Sequence, residues 1–146
     1  MNESKQPGIV IHQILVLNVR FGHRADVLQL PADTRIEDLP VRIEAGVMGK
    51  QGDTTVAIKL HAFTPEDRDD LLYNFDIEMA AVVGAVEGEE NLDPLVYATG
   101  MGAPSLFPFL REAIANITGR GRFGPLWLKP MNFHAFAPKE VEVAVQ

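Results

Sequence analysis

The sequence predicts a single α+β domain in which a four-stranded antiparallel sheet carries helices on one face. Three observations lead to this class. Apolar and polar residues alternate with period two in four segments between Ile9 and Val83, which is typical of strands. The connections between the second, third and fourth segments are too short for parallel crossovers. After Val86 the periodicity becomes helical, and strands followed by helices favour an α+β arrangement.

The first strand is predicted from Ile9 to Phe21. Strict alternation would divide its side chains between two faces: Leu15, Leu17, Val19 and Phe21 on one, and Ile14, Val16, Asn18 and Arg20 on the other. Both faces begin apolar, so part of this strand is expected to be covered on both sides. The polar stretch that follows, up to Leu39, is interpreted as a crossing loop.

Three further strands follow at short intervals. Alternation predicts them at positions 41–47, 55–61 and 73–83. Gly49–Asp53 is expected to form the first hairpin turn, because glycine accepts the positive φ that such turns need. The acidic run Thr64–Asp70 is expected to form the second turn.

After the fourth strand the sequence predicts two helices. Asn91 or Asp93 is expected to cap a short helix that begins near Pro94, since proline is tolerated at the first helical position. Two glycines are expected to interrupt it. The second helix is predicted over Pro104–Thr118, where apolar residues recur at helical spacing. Gly119 stands where a glycine would end that helix.

The stretch Gly121–Pro138 combines three prolines, which exclude a long helix, with much aromatic and aliphatic bulk. Two interpretations stay open for its side chains: they cover the sheet as core, or they line a groove open to extended peptide. Residues 139–146 are expected to form a strand or a frayed tail. Residues 1–8 are expected to be a disordered leader to the single domain 1–146.

Composition excludes several classes of protein. The chain has 146 residues and no cysteine, which excludes disulfides, a thiol nucleophile and thiolate metal sites. Its net charge of −7 argues against nucleic acid as a partner. The polar start MNESKQPG is unlike a secretory signal, and no apolar run approaches the roughly 20 residues that cross a bilayer. We therefore expect a cytoplasmic protein with no membrane insertion.

Two apparent motifs carry little chemistry. Gly119–Gly124 matches G-x-G-x-x-G, but the dinucleotide fingerprint needs a strand before it and a helix after it. Here a helix precedes the motif, so we interpret it as a helix stop followed by a turn. The histidines lack the spacing of a helical zinc site; they are His12, His23, His61 and His134. We therefore predict no catalytic residue, no cofactor and no metal.

A longer pattern begins at Ala103. It consists of APSLFPFLRE from Ala103, Ile114, RGRF from Arg120, then Leu126, Leu128, Pro130 and Asn132-Phe133. This pattern resembles the SecB family of export chaperones. The resemblance implies a four-stranded antiparallel sheet with helices on one face, and assembly as a dimer of dimers. It also implies ATP-independent binding of unfolded, mostly apolar stretches of precursor proteins and their delivery to the motor SecA.

The resemblance also implies two sets of binding residues. The client-binding candidates lie on strand two and in the stretch after the second helix: Val41, Ile43, Leu126, Trp127, Leu128, Met131, Phe133 and Phe136. The candidates for docking to SecA lie on strands one and four: Asn18, Gly22, Asn74 and Asp76. The family usually carries acids on this face. This chain departs from that pattern at Asn18 and Gly22, keeps Asp76, and has no counterpart of the usual C-terminal tail after Gln146.

An apolar face on strand four suits packing between subunits of a homotetramer; it comprises Phe75, Ile77 and Met79. Two other functions stay open beside the general export chaperone. One is a SecB-like chaperone dedicated to a single client, such as the antitoxin of a toxin–antitoxin pair. The other is a small-molecule enzyme that uses the histidines, although the spacing of the histidines does not support this function.

Overall fold

The computed structural model describes residues 8–85, 93–131, 139–141 and 143–145. Their elements, in chain order, are β1 (Ile9–His23), a 3₁₀ turn (Val27–Gln29), β2 (Val41–Met48), β3 (Thr55–Phe63), β4 (Tyr73–Ala85), α1 (Pro94–Tyr97), a π turn (Ala98–Gly102), α2 (Ala103–Thr118), β5 (Leu126–Leu128), β6 (Lys139–Val141) and β7 (Val143–Val145). Strands β1 to β4 form an antiparallel sheet, and α2 packs against β3 and β4. The predicted fold class is confirmed.

The spatial order of the main sheet is β1-β4-β3-β2-β6, so β6 adds a fifth strand beside β2. β5 and β7 form a separate antiparallel ladder. Two alternatives were predicted for residues 139–146, a strand or a frayed tail. The strand is confirmed for 139–141 and 143–145. The predicted leader lies outside the described residues, apart from Gly8, which is buried.

One of two register shifts in β1 falls at Leu17. Directly opposed residues of an antiparallel pair point to the same face. Val16 lies opposite Met79 and Val19 lies opposite Ile77, so both valines are on the side that faces the helices. Strict alternation had placed them on opposite faces. That prediction is wrong because a bulge inserts one residue and reverses the alternation on either side of it.

Asp93 caps the N-terminus of α1 as predicted, since its carboxylate accepts a hydrogen bond from the Leu95 N–H at 3.0 Å. A π turn that contains both Gly100 and Gly102 separates α1 from α2. The predicted interruption at these two glycines is therefore confirmed as a change from α to π geometry. Gly102 also allows close packing on the sheet, because a Cβ at this position would stand 2.6 Å from Cδ1 of Ile58.

Three residues predicted at an oligomer interface belong to the core instead. Phe75 and Ile77 are fully buried and Met79 is 4% exposed. They lie on the inner face of β4 and belong to the same hydrophobic cluster as Leu106 and Leu110 of α2. This corrects the prediction, because a side chain already buried within its own subunit offers no surface to a second one.

The turn that follows α2 is fastened to the sheet by Tyr73. This fully buried side chain accepts a hydrogen bond from the Phe123 N–H at 2.8 Å, and its hydroxyl lies 2.9 Å from the Gly124 carbonyl and 3.2 Å from that of Thr118. Burial raises the pKa of the Tyr73 hydroxyl, and its hydrogen bonds with the backbone act in the opposite direction. Gly121 has to be small, since a Cβ there would stand 2.6 Å from the hydroxyl oxygen.

Arg122 ties the same turn to the loop between β1 and β2. Its guanidinium donates to the carbonyls of Val27, Leu30 and Pro31. Its backbone N–H donates to Nε2 of His23 at 3.0 Å. The G-x-G-x-x-G motif is therefore a helix stop followed by a turn, as interpreted from the sequence, and its polar groups are used within the fold.

Replacing Tyr73 with phenylalanine tests this fastening. The Phe123 N–H would lose its acceptor in a buried place, so we expect the free energy of unfolding to fall by about 1–3 kcal/mol, measured by urea denaturation. Tyr97→Phe is the matched control, because within the described part of the chain the Tyr97 hydroxyl bonds a side chain, Ser105 Oγ at 2.8 Å, and accepts from no backbone N–H. Equal losses for the two variants would contradict the role given to Tyr73.

Candidate binding surfaces

The outer face of the sheet, opposite the helices, carries a group of polar side chains centred on Asp76. Oδ1 of Asp76 accepts a hydrogen bond from Nδ2 of Asn18 at 3.2 Å and lies 2.9 Å from Nε2 of His61. Nη2 of Arg20 lies 3.8 Å from the other carboxylate oxygen. One carboxylate on β4 is thus shared by side chains from both neighbouring strands.

The other acids of this face also have cationic or imidazole neighbours. Nζ of Lys59 lies 2.8 Å from Glu78, and Nδ1 of His61 lies 3.7 Å from Glu44. We call the whole set the polar ladder: Asn18, Arg20, Glu44, Lys59, His61, Asp76 and Glu78. Pairs this exposed stabilise a fold by only about 0–1 kcal/mol each. Their larger effect is on the surface potential: Asp76 and Glu78 are paired with the cations Arg20 and Lys59, whereas the neighbour of Glu44 is the His61 imidazole.

All four candidates for motor docking lie at this face, on neighbouring strands. In the register of β1 with β4, Gly22 lies opposite Asn74, and Asn18 is hydrogen-bonded to Asp76. The structure therefore brings the predicted set together. Sequence reasoning missed the members from β2 and β3. Their polar positions were visible in the alternation, but only the strand register shows which of them meet.

A cavity of about 530 Å³ opens beside the ladder, between the end of β1 and the turn before β4; it is lined by residues that include Arg20, Arg24, Arg68 and Asn74. Arg24 hydrogen-bonds Asp26 at 2.7 Å, and Arg68 hydrogen-bonds Asp70 at 2.7 Å. These bonds lower the pKa of both carboxyl groups and raise that of both guanidinium groups. The cations at the mouth of the cavity are thus already neutralised.

The client-binding candidates on β5 differ in exposure. Leu126 and Leu128 are fully buried, whereas Trp127 between them and Met131 after them are half-buried. Arg111 of α2 fixes this strand: its Nε donates to the Leu128 carbonyl at 2.6 Å, and its guanidinium lies 4.9 Å from the centre of the Trp127 ring. Core and accessible surface thus alternate along one short strand. The core interpretation holds for Leu126 and Leu128, and the peptide groove stays a prediction for Trp127 and Met131.

The remaining client-binding candidates are not accessible surface. Val41 and Ile43 on β2 have at most 1% of their surface exposed, and they pair with β6 along the backbone. Their contact with a client stays a prediction that requires the residues around them to move. Phe133 and Phe136 lie outside the described residues.

An apolar surface that sequence reasoning did not single out runs along β1. Within the described residues β1 pairs with β4 alone, so its other edge has no strand beside it. Five of its large apolar side chains are between 37% and 54% exposed: Val10, Ile11, Val16, Leu17 and Val19. We call them the β1 strip. The helical layer adds exposed Val96, Met101 and Phe109.

Nothing in the described ranges indicates a catalytic or metal centre. Their His, Asp and Glu side chains form no group of three or more that would hold a metal ion. No helix in those ranges is long and apolar enough to span a bilayer. The candidate surfaces are therefore of two kinds: a sheet face of paired polar and charged side chains, and apolar side chains at strand edges.

Comparison with known proteins identifies the family. The family described as "Preprotein translocase subunit SecB" matches residues 2–143. The chain belongs to the SecB family. Its relatives named protein-export protein SecB include one from Hydrogenovibrio crunogenus, 33% identical over 90% of this chain and 87% of its own. Another, from Pseudomonas savastanoi, is 28% identical over 97% of this chain and 86% of its own. SecB proteins are export chaperones, so family membership favours a chaperone over an enzyme.

Solved structures agree with the SecB fold. A SecB-like chaperone of Mycobacterium tuberculosis, in complex with a peptide from an antitoxin, matches with a TM-score of 0.65 at 21% identity, over 84% of this chain and 90% of its own. A protein of unknown function from Streptococcus agalactiae matches with a TM-score of 0.53 at 11% identity, over 85% of this chain and 97% of its own. At these identities the likeness concerns the fold alone.

Proposed function

We propose that this SecB-family chain is an ATP-independent holdase of the cytoplasm, which binds unfolded precursor polypeptides and delivers them to SecA. The observation that carries the proposal is the accessible apolar surface at β5, where Trp127 and Met131 remain half-buried beside buried Leu126 and Leu128. Such a surface suits an extended, apolar stretch of an unfolded chain.

The position and the hydrogen bonds of the glycine-rich motif Gly119–Gly124 support independence from ATP. A phosphate site of that type needs free backbone N–H groups at a helix N-terminus. Here the motif follows the C-terminus of α2. Its N–H groups at Gly119, Gly121 and Gly124 donate to backbone carbonyls, and the Phe123 N–H donates to Tyr73. A holdase needs no such site, since binding the unfolded state lowers the free concentration available for aggregation by mass action.

Suppression of aggregation tests the holdase function. At an equal number of chains and of unfolded client, and without nucleotide, we expect light scattering by the client to fall to less than about half. Met131→Ser should weaken binding several-fold, because it removes apolar contact area. Leu28→Ser is the control, since Leu28 is 89% exposed in the loop between β1 and β2. Unchanged scattering with the wild-type chain would contradict the proposal.

A second candidate function is a chaperone dedicated to one client, such as an antitoxin. Two observations favour it: the SecB-like neighbour from Mycobacterium tuberculosis holds an antitoxin peptide, and the acids Asp76 and Glu78 on the face proposed to dock SecA are paired with cations of the same face. The same binding assay separates the two functions when it is repeated with several unrelated unfolded clients. Affinities within about tenfold of one another favour the general chaperone, and a preference of a hundredfold or more for one client favours the dedicated one.

Delivery to SecA is proposed to use the outer face around Asp76 and Glu78. Glu78→Lys reverses one charge there and should weaken binding to SecA about tenfold, measured by calorimetry or surface plasmon resonance. Glu37→Lys makes the same charge change at an exposed loop position away from the ladder and should leave binding unchanged. If the wild-type chain holds clients but does not bind SecA, the dedicated function is favoured instead.

We also propose a homotetramer, built as a dimer of dimers, in which the β1 strip is buried between subunits. The free edge of β1 offers unpaired backbone groups, and edges of this length are usually covered. Light scattering should give four times the 16.1-kDa mass of one chain. Val16→Asp should reduce the assembly to a smaller species, whereas Leu28→Asp should not. A wild-type mass near that of one chain would contradict the proposal.

A further inference from the structure

The C-terminal strands β6 and β7 pair with β2 and β5, the two strands that carry most of the client-binding candidates. β6 pairs antiparallel with the start of β2, where Val41 lies opposite Val141 and Ile43 opposite Lys139. β7 pairs antiparallel with β5, where Trp127 lies opposite Ala144. The two ladders are separated in sequence by a single residue, so neighbouring parts of the C-terminal segment pair with both strands.

The segment also has the composition of an extended peptide that suits this place. Its sequence from Lys139 to Val145 is KEVEVAV, in which every second residue from 141 is valine and Glu140 and Glu142 stand between, a pattern typical of a strand with one apolar face. Strand addition gives affinity through main-chain hydrogen bonds, which any unfolded polypeptide can supply. An edge that accepts this segment therefore accepts an extended segment of another chain.

We propose that residues 139–145 occupy the client site as an intramolecular competitor, and that an extended client binds by replacing them at the edges of β2 and β5. This inference rests on the proposed holdase function. Val41, Ile43, Leu126 and Leu128, which the resemblance assigns to client contact, belong to the hydrophobic core, so the client would pair with the backbone edges of their strands rather than contact these side chains.

The lengths of the ladders suit a displaceable competitor. β6 and β7 have three residues each, whereas β2 has eight and pairs with β6 over its first three. Short ladders at the periphery of a fold open at lower free energy than the core. A tethered segment has a high effective concentration at its site, so a client must offer a longer or more apolar strand to replace it. We therefore expect the chain to bind clients with a longer or more apolar extended segment in preference to other clients.

The experiment compares the full chain with two double variants. Val141→Pro with Val143→Pro removes an N–H from each ladder, and Val141→Thr with Val143→Thr keeps the N–H groups and the branched shape. The probe is reduced, carboxymethylated lactalbumin, a permanently unfolded chain. If the free site is open about a tenth of the time, the apparent Kd of the proline variant should be about tenfold lower than that of the full chain. The threonine variant should match the full chain.

The outcomes separate the two proposals. Equal Kd values for the full chain and the proline variant, with binding by both, would overturn the competitor and leave the holdase intact. No binding by either would overturn both. If the proline variant loses its far-ultraviolet dichroism, hydrogen exchange of the wild-type chain decides instead. Exchange at residues 139–141 and 143–145 that accelerates when lactalbumin binds supports displacement, and unchanged exchange overturns it.

Trp127 gives a second readout on the unaltered chain, since it is the single tryptophan and lies in the β5–β7 ladder. A synthetic KEVEVAV peptide, which has no tryptophan of its own, should change the Trp127 emission when it binds, and the same peptide with proline in place of its first two valines should not. Equal changes with both peptides, or no change with either, would contradict strand addition as the mode of binding.

Discussion

This structure depends on one geometric constraint: a single helix is narrower than the four-stranded sheet on which it packs. An α-helix with its side chains is about 10–12 Å across, and neighbouring strands lie about 4.8 Å apart. One helix therefore covers the inner face of roughly two strands. Here α2 packs on β3 and β4, the two central strands of β1 to β4, and their inner residues form the core. The inner faces of the flanking strands, β1 and β2, must therefore be covered by other residues.

The two sides solve this problem differently. On the β2 side the chain supplies its own cover, because the segment after α2 returns as β5 and the C-terminal residues add β6 and β7. On the β1 side the described residues supply none, and Val16 and Val19 remain exposed although they face the same side as buried Met79 and Ile77. One side is thus closed within the chain and the other is left for a partner. Both proposed interactions, assembly at β1 and client binding at β2 and β5, follow from this difference.

The elements could be predicted from the sequence, because each depends on local patterns. The four strands, the Asp93 cap and the end of α2 at Gly119 were found from alternation, capping preference and glycine position. The errors arose where a distant contact decides. The bulge at Leu17 changes the face of Val16 without any local signal. The close approach of Gly102 to Ile58 joins distant parts of the chain, and local patterns do not show it. The neighbours of Asp76 depend on strand register, and periodicity gives the face of a residue but not its partner across the sheet.

The pattern that identifies the family is mostly scaffold. Arg111 holds β5, Arg122 holds the loop after β1, and Gly121 leaves room for Tyr73. These residues explain why the motif predicts the fold so well, since each fixes one element to another. They explain less about what the protein binds, because function resides in surfaces that a shared scaffold leaves free to vary. In this chain those surfaces are a sheet face on which Asp76 and Glu78 are paired with cations, and a β5 edge that is paired with β7. We therefore expect the choice between a general and a dedicated chaperone to depend on residues outside the motif, namely those of the ladder and of the C-terminal strands that we propose as a competitor.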